Sequence, residues 1–290
     1  MRLVCGPHTL DLARPLVMGV LNVTPDSFSD GGRYVDVDAA VAHGLEMARQ
    51  GASILDVGGE STRPGAQAVE AEEEIRRVVP VIEALAKRTQ LPISIDTSKP
   101  EVMSAAVAAG ACLINDVRAL REPGALEAAA KSGAGICLMH MQGEPRTMQV
   151  DPRYDDVVRE VKEFLRERVQ ACIASGIARE RLLIDPGIGF GKRLEHNLAL
   201  LAHLPALLEL GLPLLVGVSR KSMFGALLGR AVDERLAGGV AVATACVLSG
   251  ASIVRAHDVA ETVDAIKVAV ALRAAGYVTG SSCTPRLAQE

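Results

Sequence analysis

Along the chain one hydrophobic pattern recurs. A short run rich in Val, Leu and Ile ends at a polar residue, passes through a glycine-rich loop, and leads into a stretch with apolar positions at helical spacing. The runs are Leu16–Leu21, Ser53–Val57, Ile93–Ile95, Leu113–Ile114, Ile136–Met139, Leu182–Ile184, Leu214–Val218 and Ile253–Val254. They are near-continuous rather than alternating, which predicts strands buried on both faces. Helices are predicted for Val69–Arg88, with Ile75, Val78, Val79 and Ile82 on one face, and for Tyr154–Ser175, His196–Leu210 and Asp258–Ala274. Eight strand-then-helix units predict an α/β fold, a single (β/α)8 TIM barrel. A doubly wound sheet is the alternative, but no GxGxxG follows the first run. The opening Leu3–Leu12, with its Gly-Pro turn, reads as a short N-terminal hairpin capping the barrel bottom. One domain over residues 1–275 is expected, with 276–290 as a loose C-terminal tail.

Composition sharpens this picture. Of 290 residues 49% are hydrophobic but only 2% aromatic, so the core is expected to be aliphatic. Lys and Arg total 31 against 35 Asp and Glu, and the net charge of −4 carries no basic run. That balance argues against a general nucleic-acid binder. The six cysteines show no CxxC or metal-ligand spacing and are read as reduced and buried. No signal peptide and no long apolar span is seen, so a cytoplasmic protein without a membrane partner is expected.

In a barrel, chemistry gathers at the carboxyl ends of the strands. Here those ends read Asn22, Asp56, Asp96, Asn115 with Asp116, His140, Asp185, Ser219 with Lys221, and Arg255 with His257. Any one of them is explained as a structural cap, but eight together point to a ligand that satisfies them. Asp96, Asn115 and Asp185 suit a flat heterocycle with adjacent N–H donors, because a carboxylate pairs with such an edge as it does with Arg. Lys221 adds a cation for a ring carbonyl or nitrogen. The loops holding Ser219–Ser222 and Arg255–His257 follow the last two strands, the usual anion seat of this fold. Two glycine-rich loops, Thr24–Gly32 and Gly58–Gly65, are too polar to pack and read as covers over a substrate. Phe28, Phe190 and Phe224 fall in or beside these motifs, a concentration of rings where flat substrates would meet.

These motifs resemble those of the bacterial dihydropteroate synthase family. The likeness rests on Asn22-Val23-Thr24-Pro25-Asp26-Ser27-Phe28-Ser29-Asp30-Gly31-Gly32, Gly58-Gly59-Glu60-Ser61-Thr62-Arg63-Pro64-Gly65 and Asp96-Thr97-Ser98-Lys99-Pro100. It extends through Asn115-Asp116, Leu138–Gly143, Asp185-Pro186-Gly187, Ser219–Ser222 and Arg255–Asp258, from about residue 3 to about residue 275 in the family's order. Ala256 and Gly239 depart from it, where many members carry a larger aliphatic residue and Ser.

The resemblance implies condensation of 6-hydroxymethyl-7,8-dihydropterin diphosphate with p-aminobenzoate, giving 7,8-dihydropteroate and pyrophosphate in folate biosynthesis. By similarity, Asp96, Asn115, Met139, Asp185, Lys221 and Arg255 would hold the pterin. Asn22, Thr62, Arg63, Arg255 and His257 would meet the diphosphate, with Mg2+ as cofactor and Asn22 as its ligand. Phe28, Thr62, Pro64, Phe190, Lys221 and Ser222 would form the p-aminobenzoate position. Asp96, Asp185, Lys221 and Arg63 would carry the catalysis, and the resemblance favours a homodimer. Three other readings stay open on sequence: a pterin-dependent methyltransferase domain, a barrel aldolase using Lys221 as a Schiff base, and a non-catalytic pterin-binding paralogue.

Overall fold

The computed structural model describes residues 1–24, 37–61, 68–144 and 147–277. A two-residue Gly-Pro turn, with Gly6 at φ +55°, joins β1 (Arg2–Cys5) to β2 (His8–Asp11) in an antiparallel pair. Eight parallel strands follow: β3 (Leu16–Asn22), β4 (Ile54–Gly58), β5 (Ile93–Asp96), β6 (Leu113–Asp116), β7 (Gly135–Met139), β8 (Leu182–Asp185), β9 (Leu215–Gly217) and β10 (Ile253–Ala256). Their order around the sheet is β8-β7-β6-β5-β4-β3-β10-β9. A parallel bridge from Ile184 to Leu214, with the Ile184 N–H donating to Pro213 O at 3.0 Å, joins the two ends. The eight apolar runs are thus the eight staves of a (β/α)8 barrel.

The hairpin lies where the pattern placed it. Leu3, Cys5 and Leu12 pack with Met18, Ile54, Leu113, Leu183, Leu215 and Ile253 in one buried cluster at the amino ends of the strands. Gly135 opens β7 without a side chain because a Cβ there would lie 2.7 Å from Cys5 Sγ. The larger core between strands and helices is aliphatic, as the composition requires.

The helices are α1 (Val37–Arg49), α2 (Ala71–Ala86), α3 (Pro100–Ala108), α4 (Ala125–Ser132), α5 (Val157–Ala174), α6 (Leu194–Ala202), α7 (Leu204–Leu208), α8 (Met223–Leu228), α9 (Leu236–Leu248) and α10 (Val259–Ala274). The expected continuous helix over His196–Leu210 is two helices. The chain bends at His203 (φ −116°, ψ 25°), and Pro205 sits in the first turn of α7, where its missing N–H has no helical partner to lose. Phe224 also departs from expectation: only 2% exposed, it joins the aliphatic core and faces Gly238 instead of lining the barrel mouth. Cys5, Cys112, Cys137, Cys172 and Cys246 are free and buried, and Cys283 lies outside the described residues, as does 278–290 of the expected tail.

Candidate active site

The strand ends bring charge into the barrel mouth. Arg255 on β10 reaches past β3: its Nε donates to Asp56 Oδ2 on β4 at 2.6 Å and its Nη2 to Asp96 Oδ2 on β5 at 2.7 Å. Asn115 on β6 donates from Nδ2 to the same Asp56 oxygen at 3.1 Å. Two carboxyl groups therefore share one guanidinium. Asp56 is wholly buried, and its Oδ1, like Oδ1 of Asp96, is a buried acceptor without a hydrogen-bond donor among the described residues. A buried carboxylate oxygen left unpaired costs free energy until a ligand supplies an N–H. Burial raises the Asp96 carboxyl against the pull of Arg255, and the like charge of Asp56 raises it further.

Asp185 ends β8 and is 5% exposed; its Oδ1 accepts the Gly187 N–H at 2.7 Å. Burial raises this carboxyl too, opposed by the Gly187 N–H and by the charges of Lys221, Lys192 and Arg255. Lys221 follows β9, with its ammonium 4.3 Å from the centre of the Phe190 ring, in cation–π contact. Desolvation, set against the attraction of Asp185, lowers Lys221 to about 8. The Phe190 ring packs on a buried cluster of Val117, Met139, Met141 and Met148, which forms an apolar wall beside these charges.

The loops after β9 and β10 are tied together. Ser219 Oγ accepts the His257 backbone N–H at 3.2 Å and lies 3.1 Å from His257 Nδ1. Burial, followed by the charge of Arg255, depresses His257 to about 3, so this ring is neutral at pH 7. Arg220, in the left-handed region at φ +57°, pairs through its guanidinium with Asp258, the residue before α10. Ser222 precedes α8, its carbonyl accepting the Gly225 N–H at 2.9 Å, and Asn22 closes β3 opposite Gly58. Phe28, Thr62, Arg63 and Pro64 lie outside the described residues.

Not every strand-end polar group belongs to this mouth. Asp116 is fully buried and accepts the N–H groups of Arg118 at 2.8 Å and Leu120 at 2.7 Å. It thereby holds a turn in which Ala119 (φ +54°) and Leu120 (φ +57°) are left-handed, and Arg168 of α5 secures both carbonyls at 2.9 and 3.1 Å. This is the capping role that any one of the strand-end groups was open to. Asp56 stands among the strand-end residues in the sequence, which assigns it no task. Its signal was a carboxylate inside a five-residue strand with every other position apolar or glycine.

Buried acceptors, two cations and an apolar wall at the mouth of a (β/α)8 barrel are the features of an enzyme site. Residues 18–257 match the model of the family described as pterin binding enzyme. The chain is 56% identical to the dihydropteroate synthase of Escherichia coli strain K12 over 268 residues, 92% of this chain and 95% of that one. Among solved structures it is similar to the Yersinia pestis dihydropteroate synthase in a sulfonamide drug complex, with a TM-score of 0.90, 54% identity, and coverage of 94% of this chain and all of that one. It is similar too to the Xanthomonas albilineans dihydropteroate synthase with 4-aminobenzoic acid, with a TM-score of 0.89, 58% identity, and coverage of 94% and 98%. The same X. albilineans enzyme in complex with 7,8-dihydropteroate gives a TM-score of 0.86 at 54% identity, covering 94% and 99%. The chain belongs to the dihydropteroate synthase family of pterin-binding enzymes.

Proposed function

We propose that this chain condenses 6-hydroxymethyl-7,8-dihydropterin diphosphate with p-aminobenzoate to form 7,8-dihydropteroate and pyrophosphate. The observation that carries the reading is the set of buried acceptors inside the barrel mouth, above all Asp96 Oδ1 with no donor among the described residues. The pterin's amino and ring N–H groups are the donors such acceptors require. Asp96, Asn115 and Asp185 hold that edge, Met139 packs against the ring, and Lys221 and Arg255 supply cations to its acceptors.

The bond that breaks joins the pterin methylene to a diphosphate oxygen, and the electron pair leaves with pyrophosphate. Positive charge develops on the methylene and spreads into the electron-rich dihydropterin. Asp96 and Asp185 stabilise it from positions fixed before reaction, where each such contact is worth about 2.7–4 kcal/mol. Arg255, His257, Asn22, Thr62 and Arg63 receive the departing diphosphate; the neutral His257 does so as an N–H donor. The arylamine nitrogen then forms the C–N bond with its lone pair and releases one proton. It is already neutral at pH 7, so positioning by Phe28, Pro64, Phe190, Lys221 and Ser222 does the remaining work.

Mg2+ takes hard oxygen donors and commonly keeps substrate phosphates in its shell. Asn22 offers one such oxygen, and among the described residues no three His, Cys, Asp or Glu side chains gather to hold a metal. That donor set fits an ion arriving with the diphosphate and contacted by Asn22, where it would neutralise charge on the leaving group. No helix among the described residues is long and apolar enough to cross a membrane, and we place the enzyme in the cytoplasm. A homodimer is proposed through α8, α9 and α10, whose exposed Leu227, Leu228, Leu236, Val268 and Leu272 form the apolar surface available for a second copy.

Chromatography of a reaction containing both substrates and Mg2+ tests the reading. We expect 7,8-dihydropteroate and pyrophosphate in equal amounts. Pyrophosphate released at the same rate without p-aminobenzoate, and with no dihydropteroate, would count against coupled condensation and favour a different reaction at the same pocket.

A further inference from the structure

The segment between β8 and α6 contains three glycines, yet side chains hold every one of five consecutive carbonyls. Gln149 Nε2 donates to Gly189 O at 2.6 Å, Lys192 Nζ to Phe190 O at 2.9 Å, and the Tyr154 hydroxyl to Gly191 O at 2.7 Å. Asn197 Nδ2 donates to Lys192 O at 3.3 Å and Arg193 O at 2.9 Å, while its Oδ1 accepts the Gly189 N–H at 2.7 Å. Local hydrogen bonds of this density fix a loop that its glycines would otherwise leave free.

Lys192 is the unusual member. It is 3% exposed and makes no salt bridge with a carboxylate among the described residues. Its Nζ lies instead 2.9 Å from Nδ1 of the buried His140, with His140 O further off at 3.4 Å. The His140 ring is itself wedged edge-on against Phe164, 4.9 Å between centres. Burial lowers this lysine to about 7 against the attraction of Asp185, and its hydrogen-bonding contacts are to the His140 ring and the His140 and Phe190 carbonyls. What it holds is the backbone of Phe190, the residue whose ring lies under the Lys221 ammonium.

We propose that Lys192 is a positioning residue for the p-aminobenzoate side of the site, clamping the Phe190 carbonyl to His140 so that the Phe190 ring is set against Lys221. This rests on the reading of Phe190 as a wall of that subsite. The hydrogen bonds of Asp96, Asn115 and Asp185 do not run through the clamp, and Lys192 reaches Asp185 only through its charge, so its loss falls mainly on the p-aminobenzoate side.

The test compares wild type with Lys192→Met and with Tyr154→Phe, which releases only the Gly191 carbonyl. In Lys192→Met the KM for p-aminobenzoate rises about tenfold, the scale of one lost hydrogen bond to a charged group, and in Tyr154→Phe less but in the same direction. kcat at saturating p-aminobenzoate and calorimetric affinity for 6-hydroxymethyl-7,8-dihydropterin stay near wild type. An unchanged KM for p-aminobenzoate overturns the proposal, as does an equal loss for both substrates accompanied by a lower Tm. If Lys192→Met does not fold, Tyr154→Phe decides by the same criteria. A wild-type chain that binds p-aminobenzoate but forms no dihydropteroate contradicts the reaction alone, and binding of p-aminobenzoate to the variants then tests the clamp.

Discussion

At the scale of single residues, environment decides which of several similar groups does chemistry. Asp56, Asp96, Asp116 and Asp185 all sit in or at the ends of strands, but Asp116 gives its acceptors to its own loop, and Asp56, which shares Arg255 with Asp96, is wholly enclosed. Asp96 and Asp185 keep some exposure at the mouth and remain to meet a ligand. The chain's motifs point to Asp96, Asn115 and Asp185 because each directly follows an apolar run, and to Lys221 because it lies in the loop Ser219–Ser222 after the seventh run. They could not separate Asp116 from these, since that depends on the left-handed turn at Ala119–Leu120 and on Arg168 from a distant helix. Lys221 makes a specific pH prediction. Its ammonium is held near 8, below the ordinary lysine value, so the charge is present below that pH and lost above it. kcat/KM for the pterin diphosphate should fall as pH rises through about 8, and Lys221→Arg should move that limb beyond about pH 10 while keeping a reduced rate. A flat profile for wild type across that range would remove the charge of Lys221 from the account.

At the scale of elements, hydrophobic periodicity predicted existence better than ends. All eight strands lie where the apolar runs placed them, because strands buried on both faces are near-continuously apolar, with Asp56, Ser94 and Arg255 among the interior polar positions. The break at His203 within the predicted His196–Leu210 helix was signalled only by Pro205, which is equally at home in the first turn of a new helix. The loop after β8 shows what a glycine can decide. Gly187 has φ +67°, and a Cβ there would fall on the His140 carbonyl, whereas Gly133 at φ +69° has nothing within 4 Å. Gly133→Ala should cost about 1–2 kcal/mol in urea unfolding, the cost of a left-handed alanine. Gly187→Ala carries the same strain plus the displacement of β7's end from β8, and should cost several kcal/mol more. Equal costs for the two would mean that the β7–β8 loops are not packed as described.

At the scale of the whole molecule, the near-absence of aromatic residues has two consequences. The core is built from aliphatic side chains between strands and helices, with Phe224 drawn into it, while Phe190 is left at the mouth. Leu227 and Leu228 of α8, Leu236 of α9 and Val268 and Leu272 of α10 are exposed, which the aliphatic composition made hard to tell from core in the sequence, and the proposed homodimer would cover them. Sedimentation should give twice the chain mass, and Val268→Asp should shift the protein toward monomer, because an unpaired carboxylate would be buried between copies. A monomeric wild type at micromolar concentration would rule out this assembly.

The central claim is that buried carboxylates at the strand ends hold the pterin and stabilise the charge formed when its diphosphate leaves. The turnover of Asp185→Asn, measured beside wild type with both substrates saturating, tests it most directly. The variant keeps the shape and the acceptor for the Gly187 N–H but removes the negative charge, so kcat should fall about a hundredfold to a thousandfold while Tm is maintained. A folded Asp185→Asn with a near wild-type kcat would contradict the claim.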